Sequence, residues 1–155
     1  MSATDILSKL KSLVGYENEF SDGQPIEEGM IRRFAEAIED DNPLYHDSEF
    51  AQKSPFGGKI APPTFAFEWN HHEALTDITL PGPLIRAGNE YEFIQPLRLG
   101  DIITSKSKIS DVYEKQGRSG TMIFITCEST YTNQRNELLG IQRSSFIVYP
   151  HSVTS

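Results

Sequence analysis

Carboxylates, a phenol and an imidazole lie close together between Glu39 and Asp47. Side chains of these types accept or donate protons, as general acid–base catalysis requires. The Asn42-Pro43 pair falls within the same run and disfavours helix, because the residue before a proline is pushed out of the right-handed helical region. We therefore expect these side chains to lie in irregular structure after the end of a helix.

Histidine and cysteine, the usual ligands of transition metals, are poorly spaced for a metal site. His71 and His72 are adjacent on a predicted helix and project about 100° apart, whereas two histidines that share one zinc ion on a helix are spaced i, i+4. Cys127 is the only cysteine, and we expect it to be a small buried residue of a strand. The sequence therefore predicts no metal site.

The size and cysteine content indicate the class of protein. The chain has 155 residues, of which 37% are hydrophobic and 23% charged, which is enough for one domain with a core that needs no disulfide or metal. One cysteine cannot form an internal disulfide, which favours a cytoplasmic protein. No apolar stretch approaches the roughly 20 residues that cross a bilayer, and the N-terminus lacks the pattern of a signal peptide.

The charge is negative overall and unevenly distributed. The formal net charge is −8, which disfavours non-specific binding of nucleic acid, since such binding depends on an excess of Lys and Arg. Residues 1–94 contain seventeen acidic and seven basic residues, whereas residues 95–155 contain five acidic and seven basic residues. The second part could therefore contact an anionic group even though the whole chain is acidic.

Apolar residues at helical spacing predict three helices in the first half of the chain. The first covers 4–14 and ends at Gly15, and the second covers 28–39 and ends before Asn42-Pro43. The third covers 64–76, a stretch without Gly or Pro that contains Phe65, Phe67 and Trp69. We expect this third segment to be a long buried helix.

The second half is rich in β-branched and aromatic residues, which favours strands. The predicted strands cover 91–94, 102–112, 121–131 and 138–149, with turn residues between them. Because the connections are short, we expect neighbouring strands to pair antiparallel, as in a meander. Helices followed by such a sheet indicate the α+β class.

Five segments carry a family resemblance, and they occur in the chain in the order Glu39–Asp47, Phe56–Phe65, Pro96–Asp101, Asp111–Gly120 and Tyr131–Gln134. Together they closely resemble the MaoC-like dehydratases, in particular the branch with an N-terminal-type MaoC dehydratase domain. The resemblance covers about residues 16–149. We accordingly expect a single domain over 1–155, with an N-terminal helix within 1–15 and the MaoC-like domain over 16–149.

The resemblance implies a hot-dog fold, in which an antiparallel sheet wraps around a long central helix. It also implies a dimer of hot dogs that bind acyl thioesters of coenzyme A or acyl-carrier protein. The implied reaction is the reversible addition of water to a trans-2-enoyl thioester, as in (R)-specific enoyl-CoA hydratases and 3-hydroxyacyl dehydratases. Apart from the carrier of the acyl group, no cofactor is implied.

The segment that carries the catalytic residues departs from the family pattern at one position. Catalytic members use an Asp and a His within D-x-N-P-x-H, and Asp40, Asn42 and Pro43 match this pattern. In an ungapped alignment Tyr45 occupies the histidine position, and His46 follows one residue later. A shift of one residue turns a side chain by a large angle, so the candidate catalytic residues are Asp40 with either Tyr45 or His46.

A second departure concerns the oxyanion hole. The same alignment places Pro63 where catalytic members have a glycine whose N–H stabilises the thioester oxygen. Proline has no N–H group, and the loss of one such donor typically lowers the rate by about two to three orders of magnitude. The N–H of Thr64 is the possible substitute.

Other residues are candidates for contacts with the substrate. Arg86, Arg98, Arg118 and Arg143 could contact the phosphates of a carrier, and Arg118 is the best candidate because it lies in a predicted turn. The predicted substrate-binding residues are Asn42, Gly58, Pro63, Thr64, Trp69 and Arg118.

We therefore expect a component of an enoyl-thioester hydratase or 3-hydroxyacyl-thioester dehydratase, in which this chain binds substrate and a second hot-dog subunit supplies the catalytic set. One alternative is a self-sufficient homodimer that uses Asp40 with His46 or Tyr45. The other is a non-catalytic acyl-CoA binding protein.

Overall fold

The computed structural model describes residues 3–69, 73–80, 82–118 and 120–150. The helices precede most of the sheet, as the sequence predicts. They are α1 (Ala3–Lys11), α2 (Glu28–Ala37), α3 (Ser48–Lys53) and α4 (Phe65–Trp69), with two 3-10 turns at Pro43–Tyr45 and Ala74–Asp77.

α2 lies within its predicted range and α1 begins one residue before the predicted start, whereas α3 was not predicted. Asp47 caps the N-terminus of α3, because its carboxylate accepts a hydrogen bond of 3.0 Å from the N–H of Phe50. A side-chain oxygen at this position satisfies one of the free N–H groups of the first turn. Only six residues long, α3 is too short to produce a recognisable apolar period.

The prediction of a continuous helix over 64–76 is wrong. α4 has five residues, and Glu73 has an extended backbone before the 3-10 turn at Ala74–Asp77. The carbonyl oxygen of Glu73 accepts a hydrogen bond from the side chain of Asn18, and its carboxylate accepts one from Ser144. These contacts with the sheet hold residue 73 out of the helix, and tertiary contacts of this kind commonly override local propensity.

Five antiparallel strands form one sheet in the order β1-β3-β4-β5-β2. The strands are β1 (Glu17–Phe20), β2 (Leu84–Phe93), β3 (Thr104–Gly117), β4 (Gly120–Thr132) and β5 (Leu138–Val148). The antiparallel pairing confirms the sequence prediction. β2, however, is longer than the predicted strand and pairs with β5, so the chain crosses from one edge of the sheet to reach β3.

The concave face of the sheet packs on the helices through two apolar clusters. One cluster contains Ile31, Phe65 and Phe67, and the other contains Ile6 of α1 and Ile123 of β4. In β4 the buried and partly buried residues alternate from Ile123 to Tyr131, as expected for a strand with one face on the core. The sheet and its helices form the α+β hot-dog fold.

A row of polar residues crosses this concave face between the two clusters. The residues are paired in register across all five strands, in the order Asn18, Ser107, Ser129, Gln142, Tyr91. Within the row the hydroxyl of Ser129 donates to that of Ser107 (2.9 Å). Gln142 accepts a hydrogen bond of 2.8 Å from the hydroxyl of Tyr131. The side chains of Ser107, Ser129 and Gln142 are therefore hydrogen-bonded, which avoids the desolvation cost of a buried polar group.

The turn before β3 is fixed by Asp101, whose side chain is only 2% exposed. Its carboxylate accepts hydrogen bonds from the backbone N–H of Arg98 (2.9 Å) and from the guanidinium of Arg135 (3.1 Å). Gly100 has a φ of +81°, which glycine adopts without steric cost. No helix in the described part of the chain is long and apolar enough to cross a membrane.

Candidate active site

Asp40 lies just beyond the C-terminus of α2, and its side chain shapes the segment that follows. One carboxylate oxygen accepts a hydrogen bond of 3.1 Å from the N–H of Asn42. The side chain of Asn42 in turn accepts one of 3.1 Å from the N–H of Leu44, at the start of the 3-10 turn. The side chain of Asn42, a predicted substrate contact, therefore helps to build the turn that places Tyr45.

Tyr45 is buried and points towards Asp40. Its side chain is 6% exposed, and the pKa of its phenol is raised by burial, by the negative charge of Asp40 and by a hydrogen bond with the Asp40 side chain. A phenol with a raised pKa stays protonated near neutral pH and can act only as a hydrogen-bond donor to the carboxylate. The structure thus brings together two of the three predicted catalytic residues.

His46, the third candidate, is exposed. Its Nε2 atom lies 2.9 Å from the carbonyl oxygen of Asp41, a distance that makes a hydrogen bond when Nε2 carries the proton. The imidazole therefore contacts the backbone of its own turn.

These side chains line a cavity of about 370 Å³, which we call the acidic cleft. Four carboxylates and one guanidinium surround it, so its charge disfavours phosphates and other anions. The described residues that line it are Arg32, Ala35, Glu36, Glu39, Asp40, Asp41, Tyr45 and His46.

A second cavity, of about 240 Å³, lies between α4 and the segment that follows β2, and we call it the apolar cleft. All of its described lining residues except Gln95 are apolar. They are Phe56, Ile60, Ala61, Pro63, Ala66, Phe67, Phe93, Ile94, Gln95, Pro96, Leu97 and Leu139. Apolar cavities with few polar groups are typical of binding sites for hydrophobic ligands.

The predicted substrate-binding residues do not gather around Asp40. Pro63 lines the apolar cleft, and Gly58 lines a third cavity beside Lys59. Thr64 lies just before α4, where its carbonyl oxygen accepts hydrogen bonds from the N–H groups of Phe67 and Glu68.

Two further predictions fall at or beyond the limits of what the structure describes. Arg118 is exposed at the turn between β3 and β4, and it does not line either cleft among the described residues. The side chain of Trp69 lies outside the described part of the structure, as do both His71 and His72.

Of the other basic candidates, Arg98 is the one beside a cleft. Its guanidinium donates a hydrogen bond to the carbonyl oxygen of Phe56, which lines the apolar cleft. Leu97, which precedes Arg98 in the chain, lines the same cleft. Arg143 instead pairs with Glu90 and Glu128 on the outer face of the sheet. The structure thus places one cationic group near the apolar cleft.

Sequence reasoning missed most of the apolar cleft, because its lining comes from distant segments. Gly140 is the one local signal, as a glycine inside an apolar strand often marks a close approach of another group. A Cβ atom on Gly140 would lie 2.6 Å from Cζ of Phe67. The missing side chain therefore makes room for a lining residue of the cleft.

Comparisons with known proteins place this geometry in a family. Residues 12–141 match the family described as "FAS1-like, dehydratase domain region". A probable enoyl-CoA hydratase alpha subunit of Thermomonospora curvata is 30% identical in an alignment 164 positions long, which covers 92% of this chain and 51% of the relative.

Solved structures agree with this match. A MaoC-like dehydratase from Rhodospirillum rubrum has a TM-score of 0.71 at 27% identity, with 88% of this chain and 92% of the other covered. The ChsH1-ChsH2 complex of Mycobacterium tuberculosis has a TM-score of 0.77 at 18% identity, with 97% and 93% covered, which shows a shared fold. The chain therefore belongs to the FAS1-like dehydratase region family of MaoC-like hot-dog proteins.

Proposed function

We propose that this chain is the acyl-thioester-binding subunit of an enoyl-thioester hydratase or 3-hydroxyacyl-thioester dehydratase. The proposal rests on one observation above all, which is that a buried tyrosine with a raised pKa pairs with Asp40. Tyr45 stands at the position where the family resemblance leads us to expect a histidine. The reaction is the reversible addition of water to a trans-2-enoyl thioester on coenzyme A or acyl-carrier protein, and it needs no cofactor beyond that carrier.

The acid–base requirement of this reaction argues against catalysis by Asp40 and Tyr45 alone. One group must activate water and another must move a proton at Cα, and both work best with a pKa near the operating pH. The pKa of Tyr45 is shifted upward, away from that range. A second subunit with a complete Asp–His pair would supply the missing proton transfer.

The oxyanion requirement points in the same direction. Pro63 has no N–H to stabilise the thioester oxygen as it gains enolate character. Pro63 is nevertheless exposed and lines the apolar cleft, so its ring is available as an apolar contact. This favours a role in binding over one in stabilising charge.

The two clefts differ in the part of a substrate that they suit. The apolar cleft suits an acyl chain, and Arg98 beside it suits the phosphates of an anionic carrier. The acidic cleft repels such a carrier through its four carboxylates. We therefore assign the acyl group to the apolar cleft.

The edge strand β2 supports pairing with a second hot-dog subunit. It lies at one edge of the sheet, and four large apolar residues in and beside it are 37–53% exposed. Exposed apolar edges of this kind are prone to pair with another strand. These residues are Leu84, Ile85, Phe93 and Ile94. The T. curvata relative, named as an alpha subunit, and the two-chain ChsH1-ChsH2 complex also favour a heteromer.

A self-sufficient homodimer is the second candidate. It is favoured by a single observation, which is that Asp40 and His46 line the same acidic cleft. A rotation of the His46 side chain away from the carbonyl oxygen of Asp41 would be needed for it to act with Asp40. A cytoplasmic location, for either candidate, stays a prediction.

The experiment that separates the candidates measures hydration of crotonyl-CoA and octenoyl-CoA by the purified chain. We expect thioester binding without hydration, and hydration once the chain is co-expressed with a hot-dog subunit of the same genome that carries a complete Asp–His set. Hydration by the chain alone that disappears in Asp40→Asn, but persists in the neighbouring Asp41→Asn, would instead establish the homodimer.

A further inference from the structure

Lys59 is a buried cation in the third cavity. Its side chain is 7% exposed, and its ammonium donates a hydrogen bond to the carboxylate of Glu28, at the start of α2. The side chain of Glu28 is 61% exposed. The hydrogen bond and the positive charge of Lys59 lower the pKa of Glu28, so this carboxylate is charged at neutral pH. The buried ammonium is therefore paired with a counter-ion that stands largely in water.

Such a pairing leaves the ammonium open to a stronger anion. Removing an ammonium from water has a large desolvation cost, which a protein offsets by pairing the charge. An ion pair with an exposed partner contributes little, because water and salt compete for the exposed group. A phosphate carries up to about two negative charges and three acceptor oxygens, so it can hydrogen-bond to more of the three N–H groups of an ammonium than Glu28 does.

The cavity beside Lys59 has the other features of a phosphate site. We call it the lysine cavity; it has a volume of about 250 Å³ and is lined by Glu28, Ser48, Gln52, Gly57, Gly58 and Lys59 together with one leucine. The hydroxyl of Ser48 and the amide of Gln52 can donate to phosphate oxygens. A Cβ atom on Gly58 would meet no atom within 4 Å, so packing does not require a glycine there. Its missing side chain instead leaves the backbone open to a ligand.

The lysine cavity adjoins the apolar cleft. Phe56 and Ile60 line the apolar cleft, and the three residues between them line the lysine cavity. Ile60 also pairs with Arg98 in an isolated antiparallel bridge. Leu97, before Arg98, lines the apolar cleft, whereas Leu99, after it, lines the lysine cavity. Consecutive Cα atoms are about 3.8 Å apart, so one flexible ligand with an apolar end and an anionic part can contact both cavities.

We propose that Lys59 binds a phosphate group of the acyl carrier in the lysine cavity, where the phosphate displaces Glu28. The inference rests on the proposed function, because it takes the acyl group to lie in the apolar cleft. Glu28 is the counter-ion of Lys59 in the unliganded protein and competes with the phosphate. When it is displaced, its carboxylate turns into water, to which it is already largely exposed.

The test compares four octanoyl ligands that differ in their phosphates, by calorimetry on the purified protein. They are octanoyl-CoA, octanoyl-dephospho-CoA without the 3′-phosphate, octanoyl-phosphopantetheine with a single phosphate, and octanoyl-pantetheine with none. Saturated acyl groups avoid turnover. The wild type should bind octanoyl-CoA about tenfold more tightly than octanoyl-pantetheine, as expected for one hydrogen bond between charged groups. The ligand at which this advantage is lost identifies the phosphate, since only the phosphate next to pantetheine is shared with acyl-carrier protein.

Variants of Lys59 and Glu28 should act in opposite directions. Lys59→Gln should remove the tenfold advantage and leave the affinity for octanoyl-pantetheine unchanged. Glu28→Gln should raise the affinity for octanoyl-CoA about threefold, because it removes a competing exposed carboxylate. A pair with only a structural role would change binding in the same direction in both variants. Glu28 is exposed, so Glu28→Gln carries the test even if Lys59→Gln does not fold.

Lys53 and Glu49 provide the matched control. They form an exposed pair at 2.6 Å on α3, with side chains 75% and 80% exposed, and neither is among the described lining residues of the lysine cavity. Lys53→Gln and Glu49→Gln make the same changes of charge as the test variants. Because salt screens exposed charges, each should alter the affinity for octanoyl-CoA by less than about twofold.

The outcomes distinguish this inference from the function on which it rests. The phosphate site would be overturned, with acyl binding intact, if the wild type bound octanoyl-CoA and octanoyl-pantetheine equally, if Lys59→Gln weakened both ligands alike, or if Glu28→Gln failed to strengthen binding of octanoyl-CoA. Coenzyme A that bound as tightly without its octanoyl group would overturn the acyl site instead, and the effect of Lys59→Gln on coenzyme A would then decide the phosphate site. Absence of binding by all four ligands would overturn both.

Discussion

The phenol of Tyr45 is buried beside the carboxylate of Asp40, whose negative charge adds to the effect of burial in raising the pKa of that phenol. In the predicted alignment Tyr45 takes the place of the histidine that the resemblance implies, so a group that titrates near neutral pH is replaced by one that does not. Because its pKa is raised, Tyr45 is held in its protonated form beside Asp40.

Tyr45→Phe should lower the free energy of unfolding by about 1 kcal/mol, the net value of a typical hydrogen bond. Asp40 is half-buried, so water can replace the lost donor. Tyr131→Phe is the matched comparison and should cost about 2 kcal/mol, because Gln142 is 1% exposed and would be left with a buried unpaired oxygen. Urea denaturation measures both values, and equal losses would contradict this explanation.

Alkaline pH should destabilise the fold in part through Cys127. Burial, followed by the negative charge of Glu73, raises the pKa of this thiol from 9.0 to about 12. The unfolded chain therefore loses the proton first, so the stabilising contribution is complete below pH 9 and is lost as the pH rises towards 12. A shift of one pKa unit corresponds to about 1.4 kcal/mol of free energy. The shift from 9.0 to about 12 therefore corresponds to a stabilising contribution of about 4 kcal/mol.

Cys127→Ala tests this expectation, because alanine has no proton to lose. Its free energy of unfolding should fall less steeply than that of the wild type above pH 9, when denaturation is followed at several pH values under reducing conditions. Parallel curves for the two proteins would show that the thiol does not contribute.

Gly140→Ala and Phe67→Leu should be energetically coupled. The new Cβ atom would lie 2.6 Å from Cζ of Phe67 and 2.7 Å from the carbonyl oxygen of Glu92, so the single variant should lose about 2 kcal/mol through overpacking. The smaller leucine removes the first contact but not the second. The double variant should therefore be more stable than the sum of the single changes predicts, by about 1 kcal/mol in a double-mutant cycle, and strict additivity would contradict the close approach.

Asp101→Ala should cost about 3 kcal/mol, since it removes two hydrogen bonds to a buried charged acceptor. Glu137→Gln is the control on the other side of Arg135, where the Arg135–Glu137 pair is about half exposed. Exposed ion pairs contribute less than about 1 kcal/mol. Thermal and chemical denaturation should therefore separate the two variants clearly, and a similar cost for both would show that burial of Asp101 is not decisive.

The fold could be predicted from the sequence where local pattern and tertiary contacts agree. Two examples are the alternation of residues in β4 and the apolar face of α2. In each case the sequence pattern indicates which side of the strand or helix faces the core. The long helix over 64–76 was predicted wrongly because no Gly or Pro marks its end. Contacts of Glu73 with side chains far from it in the chain hold residue 73 in an extended conformation.

The site could be predicted only in part, for a similar reason. The run around Asp40 is local, and its acid–base candidates were found directly. The apolar cleft combines residues from 56 to 139, and no single segment shows that they meet. The predicted strand was also shorter than β2. The residues Arg86, Gly88 and Asn89 interrupt the pattern of β-branched and aromatic residues, yet all three are paired with residues of β5.

The row of polar residues across the sheet has a consequence for folding accuracy. Asn18, Ser107, Ser129 and Gln142 each come from a different strand and meet only when the strands are aligned correctly. A slip of two residues between β3 and β4 would keep the same face inward but would place Ser107 opposite Cys127 or Tyr131 instead of Ser129, so the hydrogen bond between the two hydroxyls would be lost. The row of polar residues therefore favours the correct alignment of the strands. The apolar contacts of the core alone would tolerate several alternative alignments.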